Sequence, residues 1–172
     1  MAVIASDMKF YLSGGSGNTN PNASLGAGRS TTEIVSNTLQ NLFDNVSGPE
    51  SVSGDTEYRC FYLRNTNGTD TLEDVGIWID SNTPSASTVI AIGLDPNLFS
   101  PGGAVTIATE SDAPAGVSFT NSPDPTSEGT ALAIGDMPAG SEIAVWVRRT
   151  VTAGAASAAN DPATIRIVGT PA

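Results

Sequence analysis

The sequence predicts an all-β protein, an antiparallel β-sandwich of immunoglobulin-like or jelly-roll-like type with an extended N-terminal arm. Apolar and polar residues alternate in short stretches, and these stretches recur about every ten residues. Turn-forming residues separate them, among them 18 glycines and 11 prolines in a chain of 172 residues. The intervals are too short for the helices that join neighbouring strands of a parallel sheet, so antiparallel pairing is favoured.

We expect residues 1–50 to form an N-terminal strand and a Gly/Asn-rich arm, and residues 51–172 to form the sandwich domain. A strand is predicted at residues 7–13, where Met8, Phe10 and Leu12 alternate with polar neighbours. The polar segment that follows, residues 14–22, has no apolar side chain to bury. It is therefore predicted to be a loose extended loop, or an arm that becomes ordered against a partner.

Residues 31–46 support two interpretations. Ile34 and Val35 indicate a short strand, whereas Leu39, Leu42 and Phe43 recur at helical spacing. The preceding Asn and Thr residues could cap a helix, so the sequence allows one short helix here.

The sandwich itself is predicted from residue 55 onward. Residues 57–64 are apolar on both faces, as the centre of a sandwich requires. In the next strand Val75, Ile77 and Ile79 share one face, with Trp78 on the other. Further strands are predicted at residues 89–94, 105–108, 117–120, 143–147 and 165–167. Prolines lie between these strands, where a missing N–H group harms no ladder.

The net charge of −11 argues against two classes of partner. An acidic surface repels nucleic-acid phosphates and anionic membranes, so we expect no nucleic acid and no membrane among the partners. The N-terminus lacks a basic leader, and no apolar run approaches the roughly 18 residues that a membrane-spanning helix needs. We therefore expect assembly in a cytoplasm.

The residue types also argue against catalysis, so we expect no enzyme, no cofactor and no metal site. The chain has no histidine, and Cys60, its single cysteine, lies in an apolar strand pattern. An oxygen-rich stretch at residues 65–74 resembles a calcium loop but is more simply a hairpin turn. The carboxylates of Asp55 and Glu57 could serve glycoside hydrolysis, although two residues apart on a strand they should share a solvated face.

Four residues are candidates for an interface: Trp78, Trp146, Arg148 and Arg149. Each tryptophan lies on a strand whose opposite face is also apolar. Packing in the core is the simpler interpretation, and the alternative is an anchor for a partner, a common role of tryptophan at interfaces. The two arginines could form ion pairs with an acidic neighbour, or lie at a solvated strand end.

Three parts of the chain resemble structural proteins of tailed-bacteriophage virions. The similar stretches are KFYLSGG (9–15) with NASLG (22–26), LFDNVS (42–47) with GDTEYRC (54–60), and MPAG (137–140) with VWVRRTV (145–151). They cover much of the chain and are structural rather than catalytic. The resemblance implies a β-sandwich component of a phage particle and assigns no functional residue.

Within such a particle, the acidic charge favours an outward position, away from packaged DNA. The expectation is a capsid decoration (cement) protein on the outer head, which stabilises contacts between capsid subunits. Its partners would be the major capsid protein or other virion proteins, together with further copies of itself. A tail or baseplate protein and an immunoglobulin-like carbohydrate-binding or adhesion module are the alternatives.

Overall fold

A computed structural model describes residues 2–99, 103–119, 128–158 and 160–172 of the chain. These residues form nine strands, one short α-helix and three 3-10 turns. The strands are β1 (Met8–Leu12), β2 (Gly26–Ala27), β3 (Asp55–Asn65), β4 (Leu72–Ser81), β5 (Thr88–Leu94), β6 (Ala104–Thr106), β7 (Leu132–Met137), β8 (Glu142–Val151) and β9 (Thr164–Pro171). The helix α1 is Gly48–Ser53, and the 3-10 turns are Ala5–Asp7, Pro21–Ala23 and Glu128–Thr130. Every strand pairing is antiparallel, so the predicted all-β class is confirmed.

The strands form a sandwich whose central sheet is covered on both faces. The central sheet has the order β1-β3-β8-β5, and the front sheet has the order β7-β4-β9. Side chains such as Leu63 and Val145 of the central sheet pack against Ile77 and Ile79 of the front sheet. The opposite face of the central sheet is covered by a back layer, which consists of the β2–β6 pair and its neighbouring loops. Because both faces are buried, the middle of β3 (residues 60–63) and the middle of β8 (residues 143–147) carry mostly apolar side chains on both faces.

The segment after β1 is not an extended arm. Gly14 N–H donates to the carbonyl of Gly26 at 2.7 Å, and Gly15 N–H donates to that of Gly28 at 2.8 Å. Ser24 is fully buried, and its carbonyl accepts a hydrogen bond from the N–H of Cys60 at 2.8 Å. The arm is therefore not confirmed, because the polar backbone finds its partners within the same chain.

The helix also lies elsewhere than the spacing of leucines indicates. Residues 31–46 form turns, and Leu39 is 75% exposed. Asn37 and Gln40 have φ of 60° and 58°, a conformation that interrupts a right-handed helix. The helix begins instead after Ser47, whose hydroxyl accepts from the N–H of Glu50, while the Glu50 carboxylate accepts from the N–H of Ser47 at 2.6 Å.

The sequence pattern misses β7 and predicts one strand that the described residues do not form. β7 was missed because it has no clear alternation: its buried residues Ile134 and Met137 are three apart, and Gly135 has φ of 90°. The strand predicted at residues 117–120 is not formed by residues 117–119, and residue 120 lies outside the described residues. β1 pairs with β3 along its whole length, while the division of the chain at residue 50 stays a prediction.

Candidate functional site

Trp146 is a core residue beneath the back layer. It lies at the middle of β8, is fully buried, and packs in the cluster that contains Cys60 and Ile107. Its indole Nε1 donates a hydrogen bond to the Oδ2 atom of Asp95 at 2.8 Å. A partner could not reach this side chain while the chain keeps its fold.

Asp95 is a structural feature of the fold that the sequence pattern did not reveal. It follows β5 directly and is only 1% exposed. Besides the indole of Trp146, its carboxylate accepts from the N–H groups of Asn97 at 2.8 Å and Val105 at 3.0 Å. Three donors compensate the burial of one carboxylate, and together they tie the central sheet to the back layer.

A buried phenol makes a second tie between the same layers. The Tyr62 hydroxyl donates to the carbonyl of Ala27 and accepts from the N–H of Ala104 at 2.8 Å. Burial raises the pKa of Tyr62 to about 12, because the charged phenolate would lose solvation. Tyr62 is therefore a neutral hydrogen-bonding group at any physiological pH.

Trp78 lies on the outer face of the front sheet but is almost covered. Its side chain is opposite to those of Ile77 and Ile79, which enter the core. Only 7% of Trp78 is exposed, and the 3-10 turn Glu128–Thr130 packs against its strand. In the neighbouring strand Arg166 lies opposite Trp78 and forms an ion pair with Asp80.

Arg149 is an internal anchor at one end of the central sheet. Its Nε donates to Oε2 of Glu57 at 2.6 Å, and its NH1 donates to the carbonyl of Asp44 at 2.6 Å. The guanidinium lies 4.8 Å from the centroid of the Phe43 ring. The loop that contains Phe43 and Asp44 is thus held against the sheet by a buried cation.

A second arginine completes a cluster of ion pairs, called here the buried ion cluster after its three buried members Glu57, Arg59 and Arg149. Its other two members, Asp44 and Glu110, are partly exposed. Arg59 is fully buried and forms an ion pair with Glu110, while its NH2 lies 3.9 Å from Glu57. Burial raises the pKa of Glu57, against the two guanidinium groups, which lower it. The expectation that Glu57 lies on a solvated face is wrong, because β8 places Arg149 directly opposite it.

Arg148 differs from the other basic residues. It lies on the opposite face of β8 from Arg149, with its guanidinium 5.3 Å from the centroid of the Phe119 ring. Among the described residues it is the one basic side chain that forms no ion pair. The others pair as Lys9–Glu33, Arg29–Glu142, Arg59–Glu110, Arg64–Glu142, Arg149–Glu57 and Arg166–Asp80.

This pairing decides the electrostatic character of the surface. The chain has 18 acidic and seven basic side chains, and six of the basic ones are matched by carboxylates of the same chain. Most of the acidic side chains remain outside these ion pairs with Lys and Arg. The exterior therefore carries an excess of negative charge with little basic charge left for an acidic partner.

The side chains that could support chemistry have structural surroundings. Cys60 is fully buried, and burial raises the pKa of its thiol. Within the part of the chain that the structure describes, no three His, Cys, Asp or Glu residues lie together in a way that could hold a metal ion. Asn65 donates through Nδ2 to the carbonyls of Asp70 and Met137, so the oxygen-rich stretch forms a hydrogen-bonded turn.

Comparison with known proteins identifies no relative of this chain. No family model, no curated protein and no solved structure matches this chain. The resemblance to virion proteins therefore stays a prediction. Among the described residues, no helix has the length and apolar character needed to cross a lipid bilayer.

Proposed function

We propose that this chain is a structural protein of a tailed-phage virion, a decoration (cement) protein that binds the outer surface of the head and stabilises contacts between capsid subunits. The observation that carries the proposal is the use of basic side chains. Six of the seven form ion pairs with carboxylates of the same chain, and the 18 acidic side chains outnumber them, which leaves an acidic exterior. The virion-like stretches of the sequence point to the same class of protein.

The acidic exterior favours the outside of the head over its lumen. Packaged DNA is densely anionic, so a surface of net negative charge is repelled from it and gains no counterion release on contact. On the outer shell the same charge keeps the protein soluble until it binds. Every interface that bridges two capsid subunits raises the free energy needed to separate them.

The buried contacts of the chain suit a protein that rigidly bridges capsid subunits. The central sheet is covered on both faces, and Asp95, Tyr62 and the buried ion cluster fix the covering loops to it. Satisfied buried polar groups specify one arrangement of a core, because any displacement leaves them without partners. A rigid bridging protein of this kind transmits force between the subunits that it contacts without changing shape.

Carbohydrate binding receives less support. Stacking against a sugar needs an accessible aromatic face, whereas Trp146 is fully buried and Trp78 is nearly so. A tail or baseplate position is compatible with the same fold and is separated from the head position by copy number.

The proposal is tested with particles produced from a phage genome that lacks the coding sequence. Purified protein is added back, and its copy number on separated heads and tails is measured by quantitative mass spectrometry. We expect many copies on each head and a higher temperature of DNA release after addition. A handful of copies confined to the tail would support the tail alternative, and absence from all mature particles would overturn the proposal.

A further inference from the structure

Three of the seven basic side chains lie together on the face of the central sheet that carries the back layer. Lys9 of β1 and Arg64 of β3 are directly opposite each other in the strand pairing, on the same face as Tyr62. Arg29, from the segment after β2, joins them by donating from Nε to Oε2 of Glu142, the residue of β8 that pairs with Arg64. These three basic side chains are called here the basic patch.

The basic patch has one more positive charge than the described residues provide carboxylates for it. Lys9 forms an ion pair with Glu33 at 2.9 Å, whereas Arg29 and Arg64 share a single oxygen, Oε2 of Glu142. Three cations therefore face two carboxylates, in a chain whose net charge is −11. The little basic charge that the chain leaves for a partner is concentrated here.

Arg64 is the member of the patch that lacks a carboxylate of its own. Arg29 Nε lies 2.5 Å from Oε2 of Glu142, whereas Arg64 NH1 lies 3.8 Å from the same atom, beyond hydrogen-bonding distance. The ring of Tyr11, 4.8 Å from the Arg29 guanidinium, further fixes Arg29 in this place. The Arg64 side chain donates no hydrogen bond to a described residue, and its Nε is buried without an acceptor. Because 32% of the Arg64 side chain is exposed, a partner can reach it.

This arrangement opposes folding rather than supporting it. Like charges directly opposite each other on neighbouring strands are destabilising, and a buried donor without an acceptor is destabilising as well. A chain with 18 acidic side chains nevertheless places its one lysine, Lys9, opposite Arg64. Local features that work against the fold are typical of functional sites, where a partner provides the missing interaction.

We infer that the basic patch binds an acidic segment of the major capsid protein, in which one Asp or Glu carboxylate pairs with the guanidinium of Arg64. The inference rests on the proposed function. A guanidinium and a carboxylate match each other through two parallel hydrogen bonds, so Arg64 is suited to this partner in shape as well as in charge. The added carboxylate would also neutralise the unmatched positive charge of the patch.

The charge of the whole chain restricts the partner to a short acidic segment. A nucleic acid or an anionic membrane would bring many phosphates against the acidic surface around the patch, and one unmatched cation cannot offset that repulsion. A second copy of this chain would bring its own net charge of −11 with every carboxylate that it offers. A short segment that contacts the patch alone avoids both costs.

The test uses particles made without the protein and measures binding of the purified chain by co-sedimentation. Arg64→Glu reverses the unmatched charge of the patch. Arg166→Glu is the matched control, because Arg166 is also a strand arginine but lies on the front sheet, with 60% of its side chain exposed. Arg64→Gln, which removes the charge and keeps most of the length of the side chain, is measured as well. Matching circular dichroism and thermal unfolding establish that each variant is folded.

We expect Arg64→Glu to bind at least about tenfold more weakly than wild type, and Arg64→Gln at least about threefold more weakly. The control Arg166→Glu should bind within about twofold of wild type. If wild type binds and both Arg64 variants bind as well as Arg166→Glu, the inference is overturned, although the proposed function stands. If wild type binds no particle, the proposed function fails and the inference fails with it.

A gain of binding separates recognition of an acidic partner from a structural effect of the substitutions. Glu33→Gln removes the carboxylate from Lys9 and so leaves a second positive charge of the patch unmatched. Glu128→Gln is the control, because it changes the net charge equally at an exposed position beside the front sheet. We expect Glu33→Gln to bind about two- to fivefold more tightly than Glu128→Gln, the size of effect that one surface charge has. Equal or weaker binding would overturn the acidic character of the partner.

The identity of the partner is tested with a photo-crosslinking amino acid at position 33, next to Lys9. Crosslinks on reconstituted particles should map to a segment of the major capsid protein that contains Asp or Glu. Replacing that carboxylate by Lys should restore the binding of Arg64→Glu to within about threefold of the wild-type pair, because the charges are then exchanged. Crosslinks to a second copy of this chain, or to a segment without carboxylates, would overturn the assignment of the partner.

Discussion

The carboxylate of Asp95 should contribute a large share of the stability of the fold. The substitution Asp95→Ala leaves three donors without their acceptor: the indole N–H of Trp146 and the backbone N–H groups of Asn97 and Val105. A buried donor that loses its partner costs about 1–3 kcal/mol, so the variant should lose at least about 3 kcal/mol. Domains of this kind are stable by roughly 5–15 kcal/mol in total, so the loss is large.

The assay is urea unfolding followed by circular dichroism and by tryptophan fluorescence, with the free energy of unfolding taken from linear extrapolation. Asp112→Ala is the matched control, because Asp112 also accepts two hydrogen bonds, both from Thr109, but lies exposed on a loop. The control should lose no more than about 1 kcal/mol. Equal losses in the two variants, or a loss below about 1 kcal/mol for Asp95→Ala, would refute the argument from burial.

Three further predictions concern other buried groups. Glu57→Gln should cost about 3 kcal/mol in the same assay, because the buried guanidinium of Arg149 loses its buried carboxylate partner and keeps only the partly exposed Asp44 at 3.4 Å; a loss below about 1 kcal/mol would contradict this. Tyr62 should ionise at a pH of about 12 in a spectrophotometric titration, and this step should be absent from Tyr62→Phe. Because the raised pKa favours the neutral phenol in the folded state, Tyr62 contributes its full share of the free energy of unfolding below a pH of about 10. That contribution is lost as the pH rises from about 10 to about 12. Gly26→Ala should destabilise the fold by at least about 1–3 kcal/mol, because φ is 94° and a Cβ atom would lie 1.8 Å from a carbonyl oxygen. Gly28→Ala is the control for that change, since no atom lies within 4 Å of its added Cβ, and a similar loss in both variants would contradict the steric explanation.

The strands were predictable because their signal is local. In a strand, successive side chains point to opposite faces, so burial on one face leaves an alternation that is visible in the sequence. Residues 57–64 were apolar on both faces, which predicted a central position, and β3 lies inside the central sheet. The six-residue helix also has a local signal, the pair Ser47 and Glu50 of a capping box, although leucine spacing pointed elsewhere.

The contacts around the candidate site were not predictable, because they join residues that are distant in the sequence. Arg149 and Glu57 lie opposite each other only through the register of β3 and β8, which no composition or spacing determines. Asp95 follows a strand and precedes a proline, a position typical of a turn residue, and nothing local indicates that Trp146 donates to it. The polar segment after β1 was predicted to be loose because its side chains are polar, whereas backbone hydrogen bonds close it.

The proposal that this protein is an outward-facing component of a virion head can be checked by cryo-electron microscopy of particles made with and without the coding sequence. We expect density for a β-sandwich at many equivalent positions on the outer surface of the head, and we expect that density to be absent from the deletion particles. Identical density in the two samples, or density for the protein only inside the capsid, would contradict it.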